Sequence, residues 1–494
     1  MQTSQQAKPA AAAPRGGGED RSFGFDAFRK KIGLPLAIGL ALVIAFMPQP
    51  QGLSPGGQKA IAIFVAVFVL YLTESLHLAV TSIAIIPAVV FTGTVKLNQV
   101  LPPYASGSVF LMFGSFILAA AMVKTGLADR ITFAILSKTG SSVRRITFGM
   151  VLVSMVLSFM LPSSTARTAI LLPIALAVIN LFEYKGPGRS KFTINILLTI
   201  AFVNAILSAG VLTGSPPNVI IVDFMVKAGL PPITYMQWLV AGFPPAALMC
   251  VITWWVMHIV FKPEKNDIPG GVEFIRERFE ALGSITAAEV RVAVIMALTV
   301  LLWITSSWTK LDINVICIAT VSLFFCPVIG VLDWESASKN VSWSVLLICG
   351  GGLSLGGILM QTGAAKWIAL NIFNHLGLEG LGVAALLCIV IVVVQYLHIL
   401  FATTMAMATA FVPILLELAK TAGIDPVLLA LPVGMIISGY PLLMFYNTVP
   451  SIVVYGTGKL AVQDYVKVGP LLCGIACVVY FICVFTFWGP ILSY

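Results

Sequence analysis

From residue 33 onward the chain alternates long apolar stretches with short polar gaps. Four apolar runs come first, at 33–48, 59–73, 76–94 and 106–123, interrupted at 48–55, 74–77 and 102–106. Stretches of this kind predict membrane-spanning helices. Two further runs, 146–160 and 169–182, flank the segment Leu161-Pro162-Ser163-Ser164-Thr165-Ala166-Arg167-Thr168, and the nearest charges (Arg144, Arg145, Glu183, Lys185) lie outside both. A spanning helix needs about 20 apolar residues; each run is shorter. A proline-containing polar turn between two short runs therefore predicts a re-entrant hairpin over 146–182 that enters the membrane and returns. Irregular backbone at that depth survives only inside protein or against a water-filled cavity, and an arginine there calls for an anionic partner. The tip is thus expected to bind an anion.

The same pattern carries on to the end of the chain. A span at 192–226 is interrupted by Thr213-Gly214-Ser215-Pro216-Pro217-Asn218, and another span follows at 235–261. After a charged linker, 262–289, come spans at 290–306, 312–330 and 342–360, a second hairpin at 384–419, a second interrupted span at 426–458, and a last span at 466–488. The prediction is an all-α polytopic membrane protein with about eleven crossings and two re-entrant hairpins. Its expected organisation is a disordered tail at 1–30, a first helix and first repeat at 31–261, the linker, and a second repeat at 290–494.

Composition excludes the soluble classes. Hydrophobic residues make up 59% of the 494 and charged residues 10%, with a mean hydropathy of +1.00, far above globular norms. The net charge of +9 does not signal nucleic acid, because Lys and Arg sit in short loops between apolar runs. With the amino terminus in the cytoplasm, most of the 29 Lys and Arg residues fall on the cytoplasmic side and Arg167 stays in the membrane. That orientation suits a bacterial inner membrane. The eight cysteines lack metal-ligand spacing and are expected to be packed thiols without disulfides. No paired intramembrane carboxylates or histidine clusters stand near the polar tips, so an enzyme is not expected. Gly350-Gly351-Gly352 and Gly356-Gly357 lack the strand and Gly-Lys-Ser/Thr of a phosphate loop and predict close helix packing instead.

The two halves resemble each other. Ser108-Val109 through Lys124-Thr125-Gly126 matches Ser344-Val345 through Gln361-Thr362-Gly363, and Pro173 matches Pro413, which sets Ser163-Ser164-Thr165 opposite Thr403-Thr404-Met405. Ser215-Pro216-Pro217-Asn218 falls opposite Thr448-Val449-Pro450-Ser451. Five crossings per repeat make the repeats inverted, the architecture of secondary transporters with substrate at the repeat interface. Helix N-termini at tips and breaks would face one cavity and favour a carboxylate, sulfate or phosphate. Hydroxyls and amides of Ser163, Ser164, Thr165, Ser215 and Asn218, with Thr403, Thr404, Asn447, Thr448 and Ser451, would complete it, and carbonyls there could hold Na⁺.

At these residues the chain resembles the divalent anion:sodium symporter (DASS) family over about residues 30–494. That family has two inverted repeats, hairpin tips carrying Ser-Asn-Thr, and paired helix breaks. The resemblance implies that Ser163-Ser164-Thr165 stands for the first Ser-Asn-Thr and Thr403-Thr404-Met405 for the second, with Pro217 and Pro450 beside the substrate. It also implies that Gly214 and Asn447 lie at the break positions whose backbones help bind Na⁺, together with Ser163, Ser164, Thr403 and Thr404. Thr165-Ala166-Arg167 and Tyr396-Leu397-His398-Ile399-Leu400-Phe401-Ala402 resemble the exchanger branch, which includes citrate/succinate antiporters and oxoglutarate/malate translocators. Arg167 would then supply the fixed charge that Na⁺ supplies in symporters, and a carrier keeping its cation could not return empty. The implied protein is a homodimeric, elevator-type exchanger of small di- or tricarboxylates in contact with membrane lipid. Na⁺-coupled dicarboxylate symport and an anion channel are the alternatives. Simpler readings pair Arg167 with Asp223 or Glu74, make His398 a structural hydrogen-bonding residue, and use Glu74 to hold a helix end.

Overall fold

The structure, a computed structural model, describes residues 19–161, 163–378 and 380–488. Pro162 of the predicted tip and most of the predicted tail lie outside them. Among the described residues there are helices and their connections but no strand. The first helix, α1 (Glu19–Phe46), pairs along α2 (Pro55–Thr73). It begins inside the segment expected to be disordered; residues 19–33 contain no proline, so nothing in the backbone stops the helix from running back that far.

The remaining elements repeat in order. In the first half α2 is followed by α3 (Leu78–Phe91), a short turn α4 (Leu97–Val100), α5 (Gly107–Thr125), α6 (Leu127–Leu136), the hairpin helices α7 (Val143–Met160) and α8 (Ser164–Phe182), α9 (Lys191–Gly210), α10 (Pro216–Lys227) and α11 (Tyr235–Val260). The linker holds α12 (Gly271–Ala281). The second half runs α13 (Ala287–Thr309), α14 (Ile313–Ser322), α15 (Trp334–Lys339), α16 (Trp343–Gln361), α17 (Ala364–His375), the hairpin helices α18 (Val383–Leu397) and α19 (Thr404–Thr421), α20 (Pro426–Gly439), α21 (Val449–Tyr455) and α22 (Val462–Cys483). The Thr-Gly stops are confirmed in detail: Gly126 and Gly363 have φ of 79° and 76°, the left-handed region that glycine enters at little cost. Each stop turns the chain into a short helix, α6 or α17, that the apolar pattern did not mark.

The hairpin arms are longer than their apolar runs. Ser142 caps α7 and places Arg144 and Arg145 inside its first turn, so α7 and α8 have 18 and 19 residues. At 1.5 Å per residue each measures roughly 27–28 Å, close to the hydrocarbon thickness. Shortness of the arms is therefore no argument for re-entrance. Among the described residues eleven helices are long and apolar enough to cross a membrane, but this set includes all four hairpin arms and omits α3 and α14. It is not the same eleven that the sequence pattern picks out. The case for re-entrance rests instead on where the tips lie.

The core sits on α9, whose residues from Ile194 to Gly210 are all buried. It packs against α7, α8 and α11 of its own half and α20 and α21 of the other. The glycines of α16 serve close packing as expected: a Cβ on Gly351 would lie 2.7 Å from Ser82 Cβ in α3, and one on Gly356 would strike the Phe224 ring of α10. Glu74 ends α2 in a left-handed conformation and lies 3.8 Å from Arg29, as its helix-holding role predicted. Six cysteines are buried, whereas Cys326 and Cys388 are exposed on the outer surface rather than packed.

Candidate anion-binding site

Both hairpin tips are built by the same local rule. Ser163 adopts an extended conformation (φ −127°, ψ 110°) and its Oγ accepts from Ala166 N at 3.2 Å. Thr403 does the same (φ −139°, ψ 137°), accepting from Ala406 N at 3.2 Å. A capping hydroxyl satisfies one of the first N–H groups of a helix and leaves earlier ones without an intrahelical partner. Here those are the amides of Ser164 and Thr165 in α8, and of Thr404 and Met405 in α19. All four residues line one cavity. Two long helices thus start at the same place, with their positive ends toward it.

The breaks contribute differently. α9 ends at Gly210, the chain turns through Leu212–Gly214, and α10 restarts after an extended Ser215 with prolines at its first two positions. Proline has no N–H, so α10 offers hydroxyls rather than amide donors. In the other half Thr448 Oγ1 accepts from Ser451 N at 3.2 Å, and Pro450 again removes a donor. The expectation that all four helix starts would offer amides holds fully only at the hairpins.

The cavity has a volume of about 200 Å³. Tips and breaks form a polar wall containing Ser163, Ser164, Thr165, Gly214, Ser215, Pro217, Thr403, Thr404, Met405, Asn447, Thr448 and Pro450. Facing them, α5 and α16 present Leu111, Met112, Ser115, Phe116, Val345 and Ile348. Among the described residues no charged side chain lines the cavity. Ser115, Ser208, Thr213 and Ser438 also line it and were not singled out as ligands from sequence; serines inside apolar helices carry no local signal that separates them from back-bonding ones.

Three predicted ligands lie outside the cavity lining. Arg167 is fully buried but does not line the cavity; its Nη1 donates to Leu161 O at 2.5 Å, Nη2 to Asn204 O at 3.0 Å and Nε to Asn204 Oδ1 at 3.3 Å. It turns back against α9, where it supplies the donor that Leu161 O at the end of α7 lacks and adds bonds to Asn204. The partner is neither Asp223 nor Glu74. Asn218, also fully buried, donates to Ser208 O at 2.7 Å and Val211 O at 2.8 Å, so its amide ties the end of α9 to the start of α10. Ser451 is buried likewise and outside the cavity lining.

The second tip is braced by neutral groups. Asn447 Nδ2 donates to His398 O and Phe401 O, both at 2.7 Å, while its Oδ1 accepts from Met444 N at 2.8 Å. The His398 ring nitrogens face Gln395 O at 2.9 Å and Ile437 O at 3.2 Å. Leu161 O at the first tip and His398 O and Phe401 O at the second are thus each engaged by a nitrogen donor, from Arg167 at one and Asn447 at the other.

Comparison with known proteins places this geometry. Residues 29–494 match the family described as the sodium:sulfate symporter transmembrane region. The chain is 29% identical over 486 residues to a sodium-dependent dicarboxylate transporter of Staphylococcus saprophyticus, covering 94% of this chain and 92% of that one. It is also 29% identical to the same-named transporter of Staphylococcus aureus (89% and 87% covered) and to a membrane protein of Cupriavidus necator (88% of each). Among solved structures the fold is similar to Neisseria gonorrhoeae MtrF (TM-score 0.59, 10% identity, 93% and 94% covered) and to the Alcanivorax borkumensis YdaH transporter (TM-score 0.51, 10% identity, 93% and 96% covered). With the family model spanning the paired hairpins and breaks, the chain belongs to the sodium:sulfate symporter transmembrane family, the divalent anion:sodium symporter group that its tips resemble.

Proposed function

We propose that this protein is a secondary transporter that exchanges small dicarboxylates across the bacterial inner membrane, with its amino terminus in the cytoplasm. The observation that carries the reading is a cavity where two long helices begin with free amides and hydroxyls, while the nearby guanidinium of Arg167 is locked on protein oxygens. Helix ends and hydroxyls suit a carboxylate at each tip. The staphylococcal relatives, named for sodium-dependent dicarboxylate transport, support that substrate class.

Exchange is favoured over Na⁺ symport by the fit of the oxygens. Na⁺ needs several oxygen ligands, but Leu161 O and both Asn204 oxygens are held by a charge that cannot leave. At the second tip, His398 sits between Gln395 O and Ile437 O, and the single N–H of its neutral ring satisfies one of these two carbonyls. Positive charge belonging to the protein makes an empty return costly, because that charge crosses without its anion. The contrast between a polar wall of tips and breaks and a largely apolar wall of α5 and α16 supports an elevator-like slide, since few polar contacts must be exchanged along the second surface.

The test is uptake of labelled succinate into proteoliposomes with and without internal dicarboxylate, each with and without a Na⁺ gradient. Uptake that requires internal anion and ignores Na⁺ is expected. Na⁺-driven uptake into empty vesicles would overturn exchange in favour of symport, the second reading, which the names of the relatives support.

A further inference from the structure

Serines in apolar helices usually spend their hydroxyl on a carbonyl one turn back. In this protein Ser82 bonds Leu78 O at 2.8 Å and Ser322 bonds Ile318 O at 2.8 Å. Ser208, near the end of α9 and on the cavity wall, bonds Asn204 O at 3.1 Å. Ser438 stands in the same setting near the end of α20, also on the cavity wall, and is 3% exposed, yet its Oγ has no hydrogen-bond partner. Among the described residues it alone combines a buried, unpartnered side-chain oxygen with a place in the cavity lining. Leaving such a group unsatisfied costs on the order of 1–3 kcal/mol, so a missing partner is expected from whatever fills the cavity.

The position of Ser438 constrains that partner. It is the penultimate residue of α20, whose C-terminal end faces the cavity. Helix C-termini carry partial negative charge and disfavour an anionic oxygen. The carboxylates belong at the N-termini of α8 and α19 instead. A helix C-terminus accepts a cation or a neutral donor; on the exchange reading, which assigns no Na⁺ to the cavity, the group that meets Ser438 is a neutral one that donates toward carbonyls and accepts from a hydroxyl.

We infer that Ser438 is a substrate-binding residue that recognises a hydroxyl on the carbon chain between two carboxylates, making a hydroxylated dicarboxylate the favoured substrate. This rests on the dicarboxylate reading of the cavity. A site built to bond a substrate hydroxyl rejects an analogue that lacks it, because its own polar group is then left unpaired.

The experiment compares malate and succinate, which differ by one hydroxyl, as counterflow substrates of the wild type, Ser438→Ala and Ser438→Cys in proteoliposomes. The wild type is expected to favour malate. In Ser438→Ala the KM for malate should rise about tenfold while that for succinate changes less than about twofold; Ser438→Cys, which keeps the size and a weak donor, should fall between. Equal changes for both substrates in both variants, or no change for malate, would overturn the inference. So would a wild type that carries succinate and refuses malate, which leaves the dicarboxylate reading intact. A wild type that carries neither overturns that reading, and the role of Ser438 with it.

Discussion

The two hairpin tips share a capping geometry and differ in electrostatics. Each starts its second helix from an extended, capping Ser or Thr, and each presents a carbonyl two residues earlier, Leu161 O or Phe401 O, to a nitrogen donor. At the first tip the donor is a guanidinium on the tip's own helix, and at the second it is the neutral amide of Asn447 from the break of the same half. The position that matches Arg167, four residues after the cap, is Met407 in the second half, fully buried. Duplicated architecture thus fixes where helix ends meet, while charge is assigned by single residues. A guanidinium sits behind the first tip, whereas the second has the neutral amide of Asn447 and the imidazole of His398.

Substitutions can break this comparison. Arg167→Leu should have the largest effect: three hydrogen bonds are lost and Leu161 O is left without a side-chain donor, so stability should fall by roughly 3 kcal/mol and counterflow by more than about a hundredfold, read by thermal unfolding in detergent and by transport. Arg167→Lys keeps the charge but not the planar fork and should recover only part of both. At the second tip Asn447→Leu removes donors from two carbonyls and should cost about 2 kcal/mol with a drop of about tenfold in transport. Met407→Leu conserves volume and should cost less than about 1.5 kcal/mol, with transport within about twofold. If Arg167→Leu proves as mild as Met407→Leu, the asymmetry between the tips has no functional weight.

What could be read from sequence followed the range of the interactions. The tips and breaks were legible because capping hydroxyls, prolines and Thr-Gly stops act within three or four residues, and the repeat doubled each signal. The direction of Arg167 was not, since it is decided by Asn204 on another helix, 37 residues away. Asn218 misled for the opposite reason: a polar residue at a break suggests a ligand, but the carbonyls that the break frees in α9 claim its amide first. The arms were misjudged because Arg144 and Arg145 were placed outside a helix whose cap, Ser142, precedes them. The helices α6 and α17 escaped because they are short and carry no long apolar run to mark them.

The bonding of Arg167 also bears on how the chain enters a bilayer during synthesis. Its oxygen partners lie at residues 161 and 204, and Asn204 Nδ2 in turn donates to Thr168 Oγ1 at 3.1 Å. All three hydrogen bonds of the guanidinium are therefore available once α7, α8 and α9 have left the ribosome, with none supplied by the second half. A translocon handling these three helices together can release them to lipid with their most expensive residue already hydrogen-bonded to Leu161 and Asn204, long before the second hairpin is made.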